Sequence, residues 1–247
     1  RAVGVISRGK DYKADYVISA SDYKKTFLKL LDDKTLIPQE LKEKIERAPV
    51  SEGFFTVYLG LNLSQEKMKE YLKIPHMYYS DDNPDADIHN SNDEGFFEKT
   101  WIMLYSPSLM NEKLAPEGKS SLMIQAMTPY KWMNNWGGGD REIYKRLKDK
   151  VKNALIAKAS RLIPDLKKYI EFDDAATPLT YERFTNNTDG ASSAWCWDPK
   201  KRFYENVMSI QIKTPIKNLY IGSCWSCQIG GVPSAIKAAL KCVKEIK

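Results

Sequence analysis

The last thirty residues, 218–247, constrain this chain more than any other stretch: NLYIGSCWSCQIGGVPSAIKAALKCVKEIK reads as a short apolar strand, a glycine-containing loop and a helix. Leu219, Tyr220 and Ile221 carry the strand signal, and Gly222 lets another backbone come close. Gly230 and Gly231 lead into Val232 and Pro233, and proline suits a first helical turn because its missing N–H has no helical acceptor to lose. A helix opened in this way directs free N–H groups and the positive end of its dipole outward, toward an anionic or electron-rich ligand. The segment has the shape of a ligand-docking element.

Upstream, helices and strands alternate without a regular period. Ser21-Asp22 caps a helix to about Leu31, Pro38 opens another carrying Leu41 and Ile45, and residues 64–72 form a short helix. Strands are expected at residues 54–61, 101–105, 121–128 and near 169–172, with a long basic helix from about Asp140 to Lys168. Long loops rather than regular crossover helices separate the strands, so the sheet is expected to be mixed or antiparallel and the class α+β. The glycine cluster Gly137-Gly138-Gly139 follows tryptophans rather than a strand and reads as a flexible loop before a helix.

Four stretches, in order, resemble the phytoene desaturase, carotenoid isomerase and retinol saturase group of FAD-dependent oxidoreductases. They are RAVGVISRGKDYKADYVISASD at residues 1–22, LAPEGKSSLMIQAMTPY at 114–130, the run from Ile163-Pro164 through Gly190, and the C-terminal strand-Gly-x-x-Trp...Gly-Gly-Val-Pro-x-Ala-Ile pattern. The resemblance implies a sheet-and-helix substrate domain at 21–215, flanked by two returning pieces of a Rossmann-like FAD domain at 1–20 and 216–247. It implies FAD held at Gly222, Ser223, Gly230, Gly231, Val232 and Pro233. Ser223 stands where many members of the group carry Asp or Glu. The implied reaction is desaturation, saturation or isomerisation of a C=C bond in an apolar, polyene or lipid-like substrate. A flavin amine oxidase and a non-catalytic lipid-escort protein are the alternatives on the same architecture.

The group's N-terminal strand-GxGxxG-helix unit is absent from the sequence, so the chain is read as the back part of a larger flavoenzyme. Alone, it is expected to be inactive and to carry little FAD, its partner being the missing N-terminal half. No catalytic residue is singled out, since the flavin performs the redox step and the protein positions the substrate. The 6 Trp, 14 Tyr and 8 Phe are read as core, with some lining an apolar cavity.

Other chemistries find little in the sequence. Only His76 and His89 are present, with no Gly-x-Ser-x-Gly elbow. Residues 81–94 are acidic, but Ala86 and Asn92 stand where a calcium loop needs glycine and glutamate, so no metal is assigned. Cys224 and Cys227 have C-x-x-C spacing, but the helix begins several residues later, so they are read as structural or flavin-adjacent rather than as a thiol-exchange pair. Four cysteines in 247 residues suit a reducing, cytoplasmic setting. The net charge of +6 is mild and no nucleic-acid motif accompanies it. The basic face of the long helix is read as solvated, a peripheral contact with anionic lipid being the minority reading.

Overall fold

The computed structural model describes residues 1–80 and 92–246, so most of the acidic stretch weighed above as a calcium loop, His89 included, lies outside the described residues. The chain divides into two compact units, one formed by residues 1–52 together with 181–247 and the other by residues 53–180. Nine strands run through the described residues: β1 (Gly4–Ser7), β2 (Lys10–Lys13), β3 (Val17–Ser19), β4 (Gly53–Leu61), β5 (His76–Tyr79), β6 (Ile102–Tyr105), β7 (Ser120–Thr128), β8 (Ile170–Ala176) and β9 (Leu219–Ile221). The class is α+β, as expected.

The contiguous unit holds a five-stranded sheet in the order β5-β6-β7-β4-β8, every neighbouring pair antiparallel. Alternation in β7 is strict, with Leu122, Ile124 and Ala126 buried and the intervening residues half-buried, as period-2 geometry demands of a sheet with one core face. Phe55, Val57 and Leu59 of β4 continue that face, and Leu147, Val151 and Leu155 join it from the Arg141–Ala159 helix. Asp140 caps this helix, its carboxylate accepting from the Glu142 and Ile143 N–H groups at 2.8 and 3.0 Å.

The helix ends at Ala159, not at Lys168 as the charge pattern suggested. Pro164 lacks an N–H for the next turn and disfavours helical backbone at Ile163, and Asp165 adopts φ +58° before a second short helix, Leu166–Tyr169, hands over to β8. The basic face is also extensively neutralised. Lys145 pairs with Glu142, Lys148 with Asp174, Lys150 with Glu94, and Lys152 with Asp149 and Asp173. β5 is an addition that the sequence reading did not anticipate.

Ahead of the glycine cluster the backbone turns left-handed for four consecutive residues, Met133–Trp136, with φ between +46° and +60°. Non-glycine residues pay about 1–2 kcal/mol each for this conformation, or roughly 4–8 kcal/mol in all. Trp132 and Trp136, at 0% and 1% exposure, offset it. Burying an indole contributes about 4–6 kcal/mol. Trp136 stacks on Phe55 at 5.5 Å and Trp132 meets Phe97 edge-on at 5.0 Å. Packing wins over local preference here, and the glycine cluster that follows ends in a turn just before the Arg141–Ala159 helix.

In the other unit β1 and β2 form a hairpin, and β3 pairs with β9 in parallel, Val17 opposite Leu219 and Ser19 opposite Ile221. Two stretches some two hundred residues apart thus share one small sheet. Asp22 caps the helix that follows β3, accepting from the Lys25 N–H at 2.8 Å, while its second oxygen accepts from the Thr188 N–H at 2.7 Å. Trp195, Phe203, Trp225 and Tyr23 fill the core of this unit, with Trp195 and Phe203 stacked at 3.8 Å. Among the described residues no helix is long and apolar enough to cross a membrane.

Candidate cofactor site

The six residues singled out in the sequence occupy one continuous path from the end of β9 to the start of the C-terminal helix, Gly231–Ile246. Gly222 leaves β9 with its N–H donating to the Ser19 carbonyl at 2.8 Å. A Cβ there would stand 2.5 Å from the Ile18 Cγ2, which is why the position is bare. Ser223 is buried and its hydroxyl donates to the Ser21 carbonyl at 3.1 Å, tying the ends of the two parallel strands together. Ser19, Ser21 and Thr26 form a hydroxyl cluster beside it, with oxygens 2.7–3.1 Å apart. The carboxyl ends of parallel strands are where such sheets receive ligands.

Gly230 and Gly231 both have positive φ, +67° and +76°. At Gly230 the constraint is absolute, since a Cβ would fall 1.5 Å from the Ser193 carbonyl oxygen. Ser193 is held there by its N–H donating to the Ser51 hydroxyl at 2.9 Å and its own hydroxyl donating to the Ile229 carbonyl at 3.0 Å. Gly231 is different, with nothing closer than 3.8 Å along its Cβ direction. Val232 is 72% exposed and Pro233 is also exposed, so the helix start is open on that side. The first-turn N–H groups of Val232 and Ser234 have no acceptor within the helix. A cavity of about 320 Å³ adjoins this turn, lined by Ser193, Trp197, Met208, Ile229, Gly231 and Lys237 among others. That volume lies at the lower end of the about 300–1,000 Å³ of ligand pockets, room for a ring system rather than a dinucleotide.

Ser193, Met208 and Lys237 were not identified from the sequence, and no local motif marks them. Cys224 is a half-buried thiol beside this turn: burial pushes its pKa up, against the opposing effect of the nearby Gly231 backbone N–H. Cys227 donates to the Val207 carbonyl at 3.1 Å, and all four cysteines are free thiols. A raised thiol pKa does not suit thiol exchange, which requires the thiolate. Tyr23 and Tyr204 meet in the adjoining core, where burial raises the Tyr23 pKa to about 12 and that of Tyr204 further still.

The fold and this strand-loop-helix segment define an α+β architecture with a parallel strand pair leading into the C-terminal helix. A solved oxidoreductase from Methanosarcina mazei superposes with a TM-score of 0.55 at 11% identity, over 99% of this chain and 46% of that one. A cyclohexylamine oxidase from Brevibacterium oxydans superposes with 0.51 at 10%, over 98% and 45%. By sequence the chain is similar to the all-trans-retinol 13,14-reductase of Danio rerio, 24% identical over 98% of this chain and 42% of that protein. It is likewise similar to the 4,4'-diapophytoene desaturase of Staphylococcus aureus, 22% identical over 100% of this chain and 48% of that one. These are homologues from the group that the four motifs resemble. A zebrafish protein named an inactive all-trans-retinol 13,14-reductase is also similar, at 24% over 85% of this chain and 36% of that protein. No family profile matches the sequence. The chain spans less than half the length of the relatives it matches.

Proposed function

We propose that this chain is the C-terminal portion of an FAD-dependent oxidoreductase acting on a C=C bond of an apolar, polyene-like substrate. Residues 1–20 and 216–247 would contribute to the cofactor domain and the intervening chain to the substrate domain. The observation that carries the reading is the β3–β9 pair, which brings the two termini into one parallel sheet and delivers Gly222, Ser223 and the glycine-opened helix to its carboxyl end. The sequence relatives are named for reduction of a retinoid and desaturation of a carotenoid precursor, which favours a polyene substrate over an amine.

The segment fits a flavin on its own geometry. Gly231 leaves the helix mouth free of a side chain, the first-turn N–H groups of Val232 and Ser234 have no acceptor within the helix, and the adjoining cavity admits a fused ring. When bound, the flavin supplies hydride chemistry. The chain's own contribution is to hold it: the helix N-terminus favours the negative charge that reduction places on the ring by roughly 0.3–2 kcal/mol. Gly231 serves by being small, with nothing closer than 3.8 Å along its Cβ direction. The pyrophosphate has no glycine-rich cradle in this chain, so the isolated chain retains little FAD.

The test uses the polypeptide extended upstream of Arg1, purified with excess FAD. It should retain about one flavin per chain, and Gly231→Glu should reduce that content at least tenfold or lower the reduction potential. Full flavin at an unchanged potential in Gly231→Glu would remove this segment from the cofactor site.

A further inference from the structure

The cavity beside the mouth of the C-terminal helix carries charge of one sign. Among the residues that line it, Lys237 is the only charged one, and none is a carboxylate. Much of the remaining wall is apolar, with Trp197, Met208, Ile210 and Ile229 contributing. A cleft with one sign of charge and walls of low polarity concentrates the field, so an anion inside it feels that charge more strongly than on open surface. The helix start has the same sign, since the first-turn N–H groups are left without helical acceptors and the dipole is positive there.

The chain itself makes no use of Lys237. The side chain is exposed and, among the described residues, takes part in no ion pair and no hydrogen bond. Its neighbours at helical spacing differ. Lys241 donates to the Ile210 carbonyl at 2.6 Å, and Lys244 lies in the last turn, where the negative end of the dipole favours a cation. Lys237 stands in the second turn, nearer the positive end, and the first turn holds no acidic residue to offset it. The one carboxylate of the helix, Glu245, lies in its last turn and pairs with Lys213. An unpaired cation in the first half of a helix, on the wall of a cavity with no carboxylate, lacks only an anion in that cavity.

We infer that Lys237 is the cation of the cofactor site: its ammonium group pairs with the negative charge that two-electron reduction puts on the flavin ring, and it thereby raises the reduction potential. The inference rests on the flavoenzyme reading and adds to it a residue that no motif marks. The oxidised ring is uncharged and offers the ammonium group no ionic partner, so Lys237 favours one redox form rather than holding both equally.

The test uses the polypeptide extended upstream of Arg1, loaded with FAD and titrated anaerobically with dithionite beside a dye of known potential. Lys237→Gln should bind oxidised flavin within about twofold of the unsubstituted protein and reduced flavin about three- to tenfold more weakly, a fall of about 15–30 mV for a two-electron couple. Lys237→Arg keeps the charge and should keep the potential. Lys244→Gln removes the same net charge from the far end of the helix and should leave the potential where it was. An unchanged potential in Lys237→Gln would overturn the inference and leave Lys237 a solvated side chain. An equal fall in Lys244→Gln would overturn it too, since the effect would then belong to net charge, and so would an equal loss of oxidised and reduced flavin in Lys237→Gln, the mark of a structural role. Flavin content separates the two readings. An extended protein that takes up no flavin sinks the flavoenzyme reading and this inference with it, whereas bound flavin at an unmoved potential sinks this inference alone.

Discussion

Replacing Gly230 by alanine isolates the tightest approach in the candidate site. At φ +67° an alanine pays the left-handed penalty, about 1–2 kcal/mol. Its methyl group would also sit 1.5 Å from the Ser193 carbonyl oxygen, a backbone atom that no side-chain rotation can move aside. Relief requires residues 193 and 230 to separate, which strains or breaks the Ser193 hydrogen bonds to Ser51 and Ile229. Those two bonds contribute about 0.5–1.5 kcal/mol each. The expected loss is therefore roughly 2–5 kcal/mol. Gly9→Ala is the matched control, because Gly9 has φ +73° and nothing within 4 Å of its Cβ direction. It should cost only the conformational part, about 1–2 kcal/mol. Urea unfolding followed by tryptophan fluorescence reads both, since Trp195 and Trp225 lie in the core of the affected unit. Equal destabilisation by the two substitutions would refute the steric argument and leave Gly230 as an ordinary turn glycine.

Asp22→Ala should destabilise the same unit by about 2–4 kcal/mol, because the buried carboxylate serves both the helix start and the Thr188 N–H; a loss below about 0.5 kcal/mol in urea unfolding would contradict this. Burial raises the Tyr23 pKa from 10.0 to about 12 in the folded chain. Its contribution to stability is therefore complete below pH 10 and is lost as pH rises toward 12, and Tyr23→Phe should flatten that part of the pH–stability curve. Thiol titration of the denatured chain prepared without reductant should return four free thiols, and in the native chain Cys224 should alkylate more slowly than a free cysteine because its pKa is raised. Faster alkylation of Cys224 would restore the redox reading of the C-x-x-C pair.

Local chemistry was legible where a residue acts on its own neighbours. Ser64, Asp22 and Pro38 mark helix starts that the structure keeps, and the alternation of residues 120–128 is that of a one-sided strand. What depends on distant partners was not legible. Nothing between Met133 and Trp136 announces left-handed backbone, because the cause is the pocket that Phe55 and Phe97 build for two indoles. β5 was missed because His76–Tyr79 is short and becomes a strand by pairing with β6. In the candidate site the sequence singled out Gly230 and Gly231 alike, and the structure shows that their surroundings differ. The carbonyl that forbids a side chain at Gly230 belongs to Ser193, whereas along the Cβ direction of Gly231 nothing stands closer than 3.8 Å.

The pairing of β3 with β9 also orders events in time. Residues 53–180 form a contiguous unit and can complete their sheet as soon as β8 has been synthesised. β3 is made early and must wait until Leu219–Ile221 emerge before it gains its one strand partner among the described residues. Contacts of such long sequence separation close slowly, since the loop entropy is lost before any pairing is gained. Throughout that interval Val17 lacks the partner that half-buries it in the folded chain. The split unit, rather than the five-stranded sheet, is thus where a nascent chain is most open to misassociation, and where a chaperone would have most to cover.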